Sequence, residues 1–359
     1  MYTKSETQSK KLLESLALDG IIDWLRSREV HSDALTWTRF GGSLLLVLVV
    51  LLFLSGAFMA FYFSPAPGVA YDSIDYALYS VPFGEMIRGV HFYSWNLLLV
   101  VLGVHLARTF IFGAYKAPRQ LVWISGVMVL LIVPAFIITG DLLPWDQKGY
   151  WSTQVRTSII SSVPLVGDFL VRILQGGPKN GTVTMTRFYV LHTIFLPNLL
   201  VILIAIHFHF IGQRGVSGPL SGNEAGRRKV SFSPNMVNRW LTLCLMTTVI
   251  IGFVAWYWPA PLENPADPTD TTYIPKPEWW VLFLNKLVGI FTGRLTVIAT
   301  VIIPGGLAGL IMGLPFLDRS LDRHPFRRKK AMVIAMIIAV VLVGLSVIGY
   351  LEHFGTHDE

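Results

Sequence analysis

The sequence predicts an all-α polytopic membrane protein, with a four-helix bundle followed by three further transmembrane helices. Of the 359 residues, 53% are hydrophobic and only 14% are charged, whereas soluble domains carry about 25% charged residues. The mean hydropathy is +0.57, and long apolar runs alternate with short polar stretches. A soluble protein of this length would be expected to separate two or three domains by polar linkers, so this pattern argues against that class.

Seven segments are long and apolar enough to cross the hydrocarbon core, which takes about 20 residues of helix. They are Phe40–Phe63, His91–Phe112, Leu121–Gly140, Phe188–Ile211, Trp240–Trp258, Leu295–Leu314 and Ala331–Leu351. Glycine and proline interrupt several of them, which membrane helices tolerate better than soluble ones. No repeat of fixed period is present.

The loops on one side of the predicted bundle are long, and loops of that length are commonly functional or carry structure of their own. They are Ser64–Val90, Asp141–Arg187 and Pro259–Arg294. We expect two surface helices in the second, at Trp151–Ser162 and Val166–Leu174. The N-terminal stretch Lys11–Arg28 mixes leucines with charges, and it is predicted either to lie along the membrane surface or to form a solvated arm.

Lysine and arginine are distributed unevenly, with roughly twice as many on the side that carries the N-terminal arm, which the positive-inside rule assigns to the cytoplasm. The other side is then the outer side, and a bacterial plasma membrane is the expected location. The net charge is +7, but the positive charges lie mainly in alternate loops between the apolar runs. No nucleic-acid partner is therefore predicted. The single cysteine, Cys244, lies in an apolar segment and argues against a disulfide framework or a cysteine-based cluster. No signal peptide is predicted.

Two pairs of histidines stand out, because ionisable residues inside membrane helices are costly and usually mark function. His91 and His105 are fourteen residues apart in the second span, and His192 and His207 are fifteen apart in the fourth. Fourteen residues of helix return to within about 40° of the same face and rise about 21 Å. We therefore expect two porphyrins clamped between opposed helices. His91 and His192 would hold one near the outer side, and His105 and His207 the other near the cytoplasm.

Imidazole is a regular axial ligand of haem iron. Two histidines for each iron leave no open position, which favours electron transfer over oxygen binding. The alternative is four unrelated histidines bonded to neighbouring helices, and the matched separations on two helices favour haem over it.

Glycines in the first and third spans show the same spacing. Gly42 and Gly56 are fourteen residues apart, as are Gly126 and Gly140. A missing side chain lets a bulky ring approach the backbone, so each glycine is predicted to clear space for a haem. Ordinary packing of small residues between membrane helices is the alternative, and the matching histidine spacing favours haem clearance.

Two arginines flank the histidines of the second span. Arg88 lies three residues before His91, and Arg108 lies three after His105. Charged haem propionates need cationic or hydrogen-bonding partners, so contact with the propionates is predicted. Snorkelling to the membrane interface is the alternative role.

These motifs carry a resemblance to the cytochrome b family, in the form of a cytochrome b6 fused to a subunit IV. The stretches similar to cytochrome b6 are RGVH at 88–91, HLAR at 105–108, KAPR at 116–119, LPWDQKGYW at 143–151, TRFYVLHT at 186–193 and VSGP at 216–219. Those similar to subunit IV are NPADP at 264–268, PEWW at 277–280 and PFRR at 325–328. The resemblance implies an N-terminal arm (1–39), a four-helix dihaem domain (40–219), a junction loop (220–239) and a three-helix domain (240–359).

The resemblance also implies function. It predicts the subunit of a quinol:cytochrome c (or plastocyanin-like acceptor) oxidoreductase that oxidises quinol at the outer side and carries two non-covalent haems b. Electrons would pass through these haems to a quinone site near the cytoplasm, coupled to proton translocation. Glu278, in the position of the family's quinol-binding glutamate, is the predicted catalytic proton acceptor, since a carboxylate in an apolar pocket can take a proton near neutral pH. Further predicted quinol-site residues are Trp145, Tyr150, Arg156, Pro277 and Trp279. The implied partners are a Rieske iron–sulfur protein, a c-type cytochrome and a second copy of the chain.

Three features depart from the family pattern. Arg39 stands where cytochrome b6 has the cysteine that anchors a further haem, so a third, covalent haem is not predicted. Trp280 replaces the usual tyrosine after the Pro-Glu-Trp motif and is expected to reshape the quinol pocket. His209, two residues after His207, is additional, and we assign it to the quinone site or to a structural role.

Two other functions compete with this one. A dihaem membrane anchor of another redox enzyme would lack the Pro-Glu-Trp loop and the last three helices. A proton-coupled transporter with histidine relays would leave the glycine spacing unexplained.

Overall fold

The computed structural model describes residues 23, 27, 29–31, 40–215, 217, 229–231 and 235–354. Seven helical segments in this part of the chain are long and apolar enough to cross a membrane, which confirms the predicted fold class. The helices are α1 (Gly41–Tyr62), α2 (Ala70–Tyr79), α3 (Gly84–Ile111), α4 (Gln120–Asp141), α5 (Gln147–Ser161), α6 (Gly167–Gln175), α7 (Thr182–Val190), α8 (Leu196–Arg214), α9 (Asn235–Tyr257), α10 (Leu282–Ile290), α11 (Ile303–Leu317) and α12 (Lys329–Phe354).

Short turns of other helical types complete the spans. A π-helical turn, Leu191–Phe195, joins α7 to α8, so that both form one span. A second π-helical turn, Ile298–Ile302, leads into α11. Loops 63–83, 142–181 and 258–292 lie at one end of the bundle, here named the Glu278 side. Loops 112–119 and 318–328 lie at the other end, named the Asp318 side.

One small sheet accompanies the helices. Strand β1 (Glu29–His31) pairs antiparallel with β2 (Lys229–Ser231). This sheet is not predictable from the sequence, because strands of three residues are too short to show a periodic pattern. Only residues 23 and 27 of the stretch Lys11–Arg28 are described, so the predicted surface helix or solvated arm lies outside the described residues, as does most of the junction loop 220–239.

Two of the short helices were predicted and two were not. Helices α5 and α6 lie close to the predicted surface helices of the second long loop. Helices α2 and α10, of 10 and 9 residues, were missed, because hydropathy selects only segments that can span about 20 residues of bilayer. Helix α3 also begins before the predicted His91, because a helix continues into the polar interface beyond its apolar part.

The bundle is built from two helix pairs. Helices α1 and α3 pack together, as do α4 and α8, with α9 against α3 and α11 against α4. Leu48 of α1 packs with Leu98 of α3, and Ile132 of α4 packs with Leu200 of α8. A cavity separates the two pairs. Most apolar side chains face outward, and none of the central window of α12 is buried, as expected for helices surrounded by lipid.

A buried polar cluster on the Asp318 side ties the first four spans to the last three. The Tyr115 hydroxyl donates a hydrogen bond to Asp318, and Arg328 donates to the Tyr115 oxygen at 2.7 Å. Lys116 Nζ lies 2.9 Å from Asp318 Oδ1. Nearby, Trp123 Nε1 of α4 donates to the carbonyl of Ile311 in α11 at 2.6 Å. This cluster contains Arg328, the last residue of the PFRR motif, and gives it a structural role.

Asp318→Asn is expected to loosen this joint. Burial alone raises the pKa of Asp318, but hydrogen bonds from Tyr115 and Lys116 lower it to about 2. The carboxylate therefore adds stability above its unfolded pKa of about 4, and this is lost as the pH falls towards 2. Removing one partner of a buried ion pair lowers the free energy of unfolding by about 3 kcal/mol. We therefore expect Asp318→Asn to have a lower denaturation midpoint than the wild type in detergent at pH 7.

The matched control is Glu352→Gln. Glu352 forms an ion pair with Lys286, and the Glu352 side chain is 50% exposed. Exposed ion pairs contribute less than about 1 kcal/mol to the free energy of unfolding. Equal midpoints for the two variants, or a difference that persists at pH 2, would contradict the role given to Asp318.

Candidate functional site

The cavity between the two helix pairs has a volume of about 460 Å³, within the range of about 300–1,000 Å³ found for ligand sites. Its walls are largely apolar, with contributions from α1, α3, α4 and α8. His91 of α3 and His192 of the π-helical turn line it from opposite sides. The cavity reaches the Glu278 side, where its lining becomes charged.

The two imidazoles face each other across this space. The ring centroids of His91 and His192 are 6.3 Å apart, with an angle of 59° between the ring planes. Because an imidazole nitrogen binds a first-row metal at about 2 Å, two rings on opposite sides of one ion have centroids about 6 Å apart. The separation therefore matches two axial ligands of a single metal.

His192 is held by its Nδ1 atom. This nitrogen lies 3.0 Å from the carbonyl oxygen of Phe136 and 3.3 Å from Thr139 Oγ1, so it is the protonated nitrogen and Nε2 stays available as a ligand. A Cβ atom on Gly140 would lie 2.6 Å from His192 Cε1, so only glycine fits there. The π-helical turn at His192 is a feature often found at functional sites.

His91 is held in the same way. Its Nδ1 lies 3.0 Å from Ser55 Oγ. The Ser55 hydroxyl donates to the Leu51 carbonyl at 2.6 Å, so its oxygen accepts the proton of Nδ1. A Cβ atom on Gly56 would lie 3.3 Å from His91 Cε1. The glycine and its preceding serine thus seat the ring and leave Nε2 free.

The second pair of histidines lies nearer the Asp318 side. His207 Nδ1 lies 2.9 Å from Ser125 Oγ, and a Cβ atom on Gly126 would lie 3.1 Å from the ring. His105 and His207 are close enough to interact electrostatically. The four histidines therefore form two levels along the bundle.

His105 differs from the other three histidines in its surroundings. Its Nδ1 lies 3.3 Å from the position that a Cβ on Gly41 would occupy, and Gly42 adjoins the same ring at 3.7 Å. The residue before Gly42 is thus a glycine, whereas a serine or threonine precedes the glycine next to each of the other three histidines.

The Glu278 side of the cavity is formed by two loops that lock together. Gln147 N donates to the Asn264 carbonyl at 2.9 Å, and Ala266 N donates to the Trp145 carbonyl at 2.9 Å. Asp146 Oδ2 also accepts from the backbone N–H of Glu263 at 3.2 Å. The LPWDQKGYW and NPADP motifs, more than a hundred residues apart in the sequence, are thus one structural unit.

Charged groups line this end of the cavity. Glu278 forms an ion pair with Lys148. Asp146 is buried, and burial raises its pKa although Gly149 N donates to its carboxylate at 2.8 Å. Arg88 Nη1 donates to the Ala260 carbonyl at 2.7 Å. Both acids, the lysine and the arginine are part of the cavity wall.

Comparisons with known proteins match this arrangement. Residues 96–265 match the family model described as Cytochrome b(N-terminal)/b6/petB. A cytochrome b6 of Prochlorococcus marinus is 40% identical over 207 residues, which cover 58% of this chain and 94% of that protein. Cytochrome b6 of Synechococcus sp. (strain RCC307) matches with the same identity and coverage. The chain belongs to the cytochrome b/b6 family.

A solved structure extends the likeness over almost the whole chain. A chain of "Hyperthermophilic respiratory Complex III" matches with a TM-score of 0.82 and 25% identity, covering 95% of this chain and 90% of that one. As a cytochrome b, the protein is an integral membrane protein that binds haem b. It is the electron-transferring membrane subunit of a bc-type oxidoreductase.

The residues around the cavity fit the haem b of this family. Among the described residues, no cluster of three or more histidine, cysteine, aspartate or glutamate side chains could hold a metal ion. The facing histidines supply two nitrogens, and the porphyrin of haem b would supply the remaining ligands of the iron. The apolar walls leave room for a flat ring between the helix pairs, and Gly56 and Gly140, which line the same cavity, make room for the two imidazoles.

Hydroxyl side chains that seat the histidines were missed in the sequence analysis. On α1 and α4 of this cytochrome b, the residue before the glycine carries the hydroxyl in three of the four positions: Ser55-Gly56, Ser125-Gly126 and Thr139-Gly140, with Gly41-Gly42 as the fourth. The fourteen-residue spacing of Ser125 and Thr139 is a signal that could have revealed them.

The two arginines predicted to contact propionates lie near the ends of α3. Arg88 adjoins the cavity and also donates to the Pro261 carbonyl at 2.6 Å. The Arg108 guanidinium stacks over the ring of Phe112, with its Cζ 5.1 Å from the ring centroid. Contact of either side chain with a propionate stays a prediction.

The remaining predicted quinol-site residues lie around the cavity without forming its surface. Trp145 and Tyr150 are buried in the neighbouring core, with ring centroids 5.4 Å apart. Arg156 pairs with Asp141 at 2.6 Å. Trp279 Nε1 donates to Asn96 Oδ1 at 2.8 Å, while Pro277 precedes Glu278 and is half-buried. His209 is exposed on α8.

Proposed function

We propose that this cytochrome b oxidises quinol on the Glu278 side and delivers electrons towards a quinone site on the Asp318 side, within a quinol:cytochrome c-type oxidoreductase. The observation that carries the proposal is that Glu278, His91 and His192 line one cavity. A proton-accepting carboxylate and a redox centre must be close together for a substrate that loses protons and electrons together.

The histidines hold the cofactors in this proposal. His91 and His192 would hold the haem nearer Glu278, and His105 and His207 the haem nearer Asp318. Bound haem b supplies one-electron redox chemistry. Ser55, Ser125 and Thr139 and the neighbouring backbone carbonyls orient the imidazoles and fix their tautomers, as partners of metal-bound histidines generally do.

Glu278 would act as the proton acceptor. Its side chain is 14% exposed, so it can meet a substrate in the cavity while bulk water is largely excluded. A carboxylate within hydrogen-bond reach of the substrate can accept the proton of a quinol hydroxyl as a general base. Arg88 and the glycines Gly42, Gly56, Gly126 and Gly140 bind and clear space for the cofactors, and they take no part in proton transfer.

The wider assembly follows from the family and the charge distribution. The Glu278 side would face away from the cytoplasm of a bacterial plasma membrane, and the N-terminus would be cytoplasmic. Quinol oxidation on one side and quinone reduction on the other would translocate protons. By analogy with the Complex III neighbour, we assign a Rieske iron–sulfur protein, a c-type cytochrome and a second copy of the chain as partners, with the b6-like and subunit IV-like parts joined in one polypeptide.

The deciding experiment is purification of the complex from its native membrane. We expect a Rieske protein and a c-type cytochrome to copurify, the reduced-minus-oxidised spectrum to contain two b-type centres, and a short-chain quinol to reduce cytochrome c. A preparation with two haems that copurifies with a dehydrogenase and lacks quinol oxidation would point to a membrane anchor. A preparation without an alpha band would point to a transporter.

A further inference from the structure

The ion pair between Lys148 and Glu278 joins two motifs that are 130 residues apart in the sequence. Lys148 Nζ contacts Glu278 Oε1, and the two side chains are 27% and 14% exposed. Both line the cavity that also contains His91 and His192. The glutamate precedes the short 3-10 turn Trp279–Val281 without capping it, so its carboxylate is available to the lysine.

The position of Lys148 is unfavourable for a cation on local grounds. It lies in the first turn of α5, just after the N-cap residue Asp146, where the helix dipole favours negative charge. Burial lowers the pKa of Lys148, but the charge of Glu278 and a hydrogen bond to it outweigh burial and raise this pKa. The ammonium group is therefore retained by a carboxylate from another part of the chain.

The other charged groups at this end of the cavity have partners of their own. Asp141 pairs with Arg156 at 2.6 Å, and Asp146 accepts two backbone N–H groups. The Tyr273 hydroxyl donates to Glu263 Oε2 at 2.5 Å. The remaining charged residue, Arg88, donates to the backbone carbonyls of Ala260 and Pro261. Among the described residues of the cavity wall, Glu278 is thus the acid that has Lys148 as its ion-pair partner.

We propose, resting on the quinol oxidation proposed above, that Lys148 is a positioning residue that keeps Glu278 ionised at the cavity wall and sets the lower pH limit of turnover. In the step itself, one O–H bond of the quinol breaks and its proton forms a new O–H bond on the Glu278 carboxylate, which leaves the singly deprotonated quinol as the electron donor. Because the neutral acid no longer attracts the Lys148 ammonium, the Glu278 side chain can rotate away from Lys148 and release the proton.

The test is the pH profile of quinol oxidation by the intact complex. Lys148→Met keeps most of the length of the side chain and removes its charge, and the loss of a neighbouring positive charge makes a carboxylate easier to protonate. The active form is then lost at a higher pH as the solution is acidified. We expect the acid limb of the profile to move upward by about one pH unit, which is a typical effect of a neighbouring charge. Lys148→Arg is expected to restore the original limb.

Lys179→Met is the matched control, because Lys179 is an exposed lysine in the loop between α6 and α7. Its profile is expected to match the wild type. Profiles are to be measured with a short-chain benzoquinol and a short-chain naphthoquinol, and the reduced-minus-oxidised spectrum checks that haem content is unchanged. Lys148→Gln replaces Lys148→Met if the latter does not assemble.

Two results separate this inference from the proposed function. A wild-type acid limb in Lys148→Met or Lys148→Gln, with normal haem content, would overturn the role of Lys148 while leaving quinol oxidation intact. A wild-type complex that oxidises neither quinol at any pH would refute the proposed function itself.

Discussion

His192→Ala is expected to remove the haem on the Glu278 side and to leave the other haem in place. The change deletes one of two facing imidazoles whose centroids are 6.3 Å apart. Because the opposing His91 alone supplies a single axial ligand, the ring loses its clamp between the helix pairs. The other pair, His105 and His207, lies at a separate level of the bundle and keeps its own contacts. Haem measured per polypeptide should therefore fall by about half, since each histidine pair holds one iron.

His209→Ala is the control for this variant. His209 is an exposed residue of α8, two positions beyond His207, and its removal is expected to leave haem content and the alpha band unchanged. Full haem content in His192→Ala, or an equal loss in His209→Ala, would contradict the assignment of the ligands.

Glu278→Gln is expected to slow quinol oxidation by about a hundredfold, a typical contribution of a positioned acid or base. The amide has the size of the carboxylic acid but cannot accept the proton of a quinol hydroxyl. It also leaves Lys148 without its ion-pair partner. Turnover is to be measured at saturating quinol, so that a fall in kcat is separated from weaker substrate binding.

Glu263→Gln tests whether the effect is specific to Glu278. Glu263 lines the same cavity, but its carboxylate accepts the hydroxyl of Tyr273 at 2.5 Å, a hydrogen bond that glutamine can also accept. We expect this variant to keep most of its activity, and both variants to keep both haems. Equal losses in the two variants would show that Glu278 is only one of several charges shaping the cavity.

Features that depend on local sequence were predictable for this protein. Hydropathy over about 20 residues identifies a membrane span whatever its neighbours are, and all seven spans are present. Helical geometry converts residue spacing directly into distance and direction. For this reason, the levels of His91 and His105 along α3, and of Gly126 and Gly140 along α4, follow from residue numbers alone.

Contacts between distant segments were decided only by the tertiary structure. The side-chain contacts of Trp145 and Tyr150, the hydroxyls behind the histidines and the pairing of Lys148 with Glu278 depend on how loops and helix pairs meet. No periodic sequence pattern predicts such contacts, because each contact joins residues on different elements, in some cases more than a hundred positions apart. The sequence by itself thus determined the spans and the spacing of the histidines. Packing between the two helix pairs, and the hydrogen bonds between two loops, decided which side chains line the cavity beside these histidines.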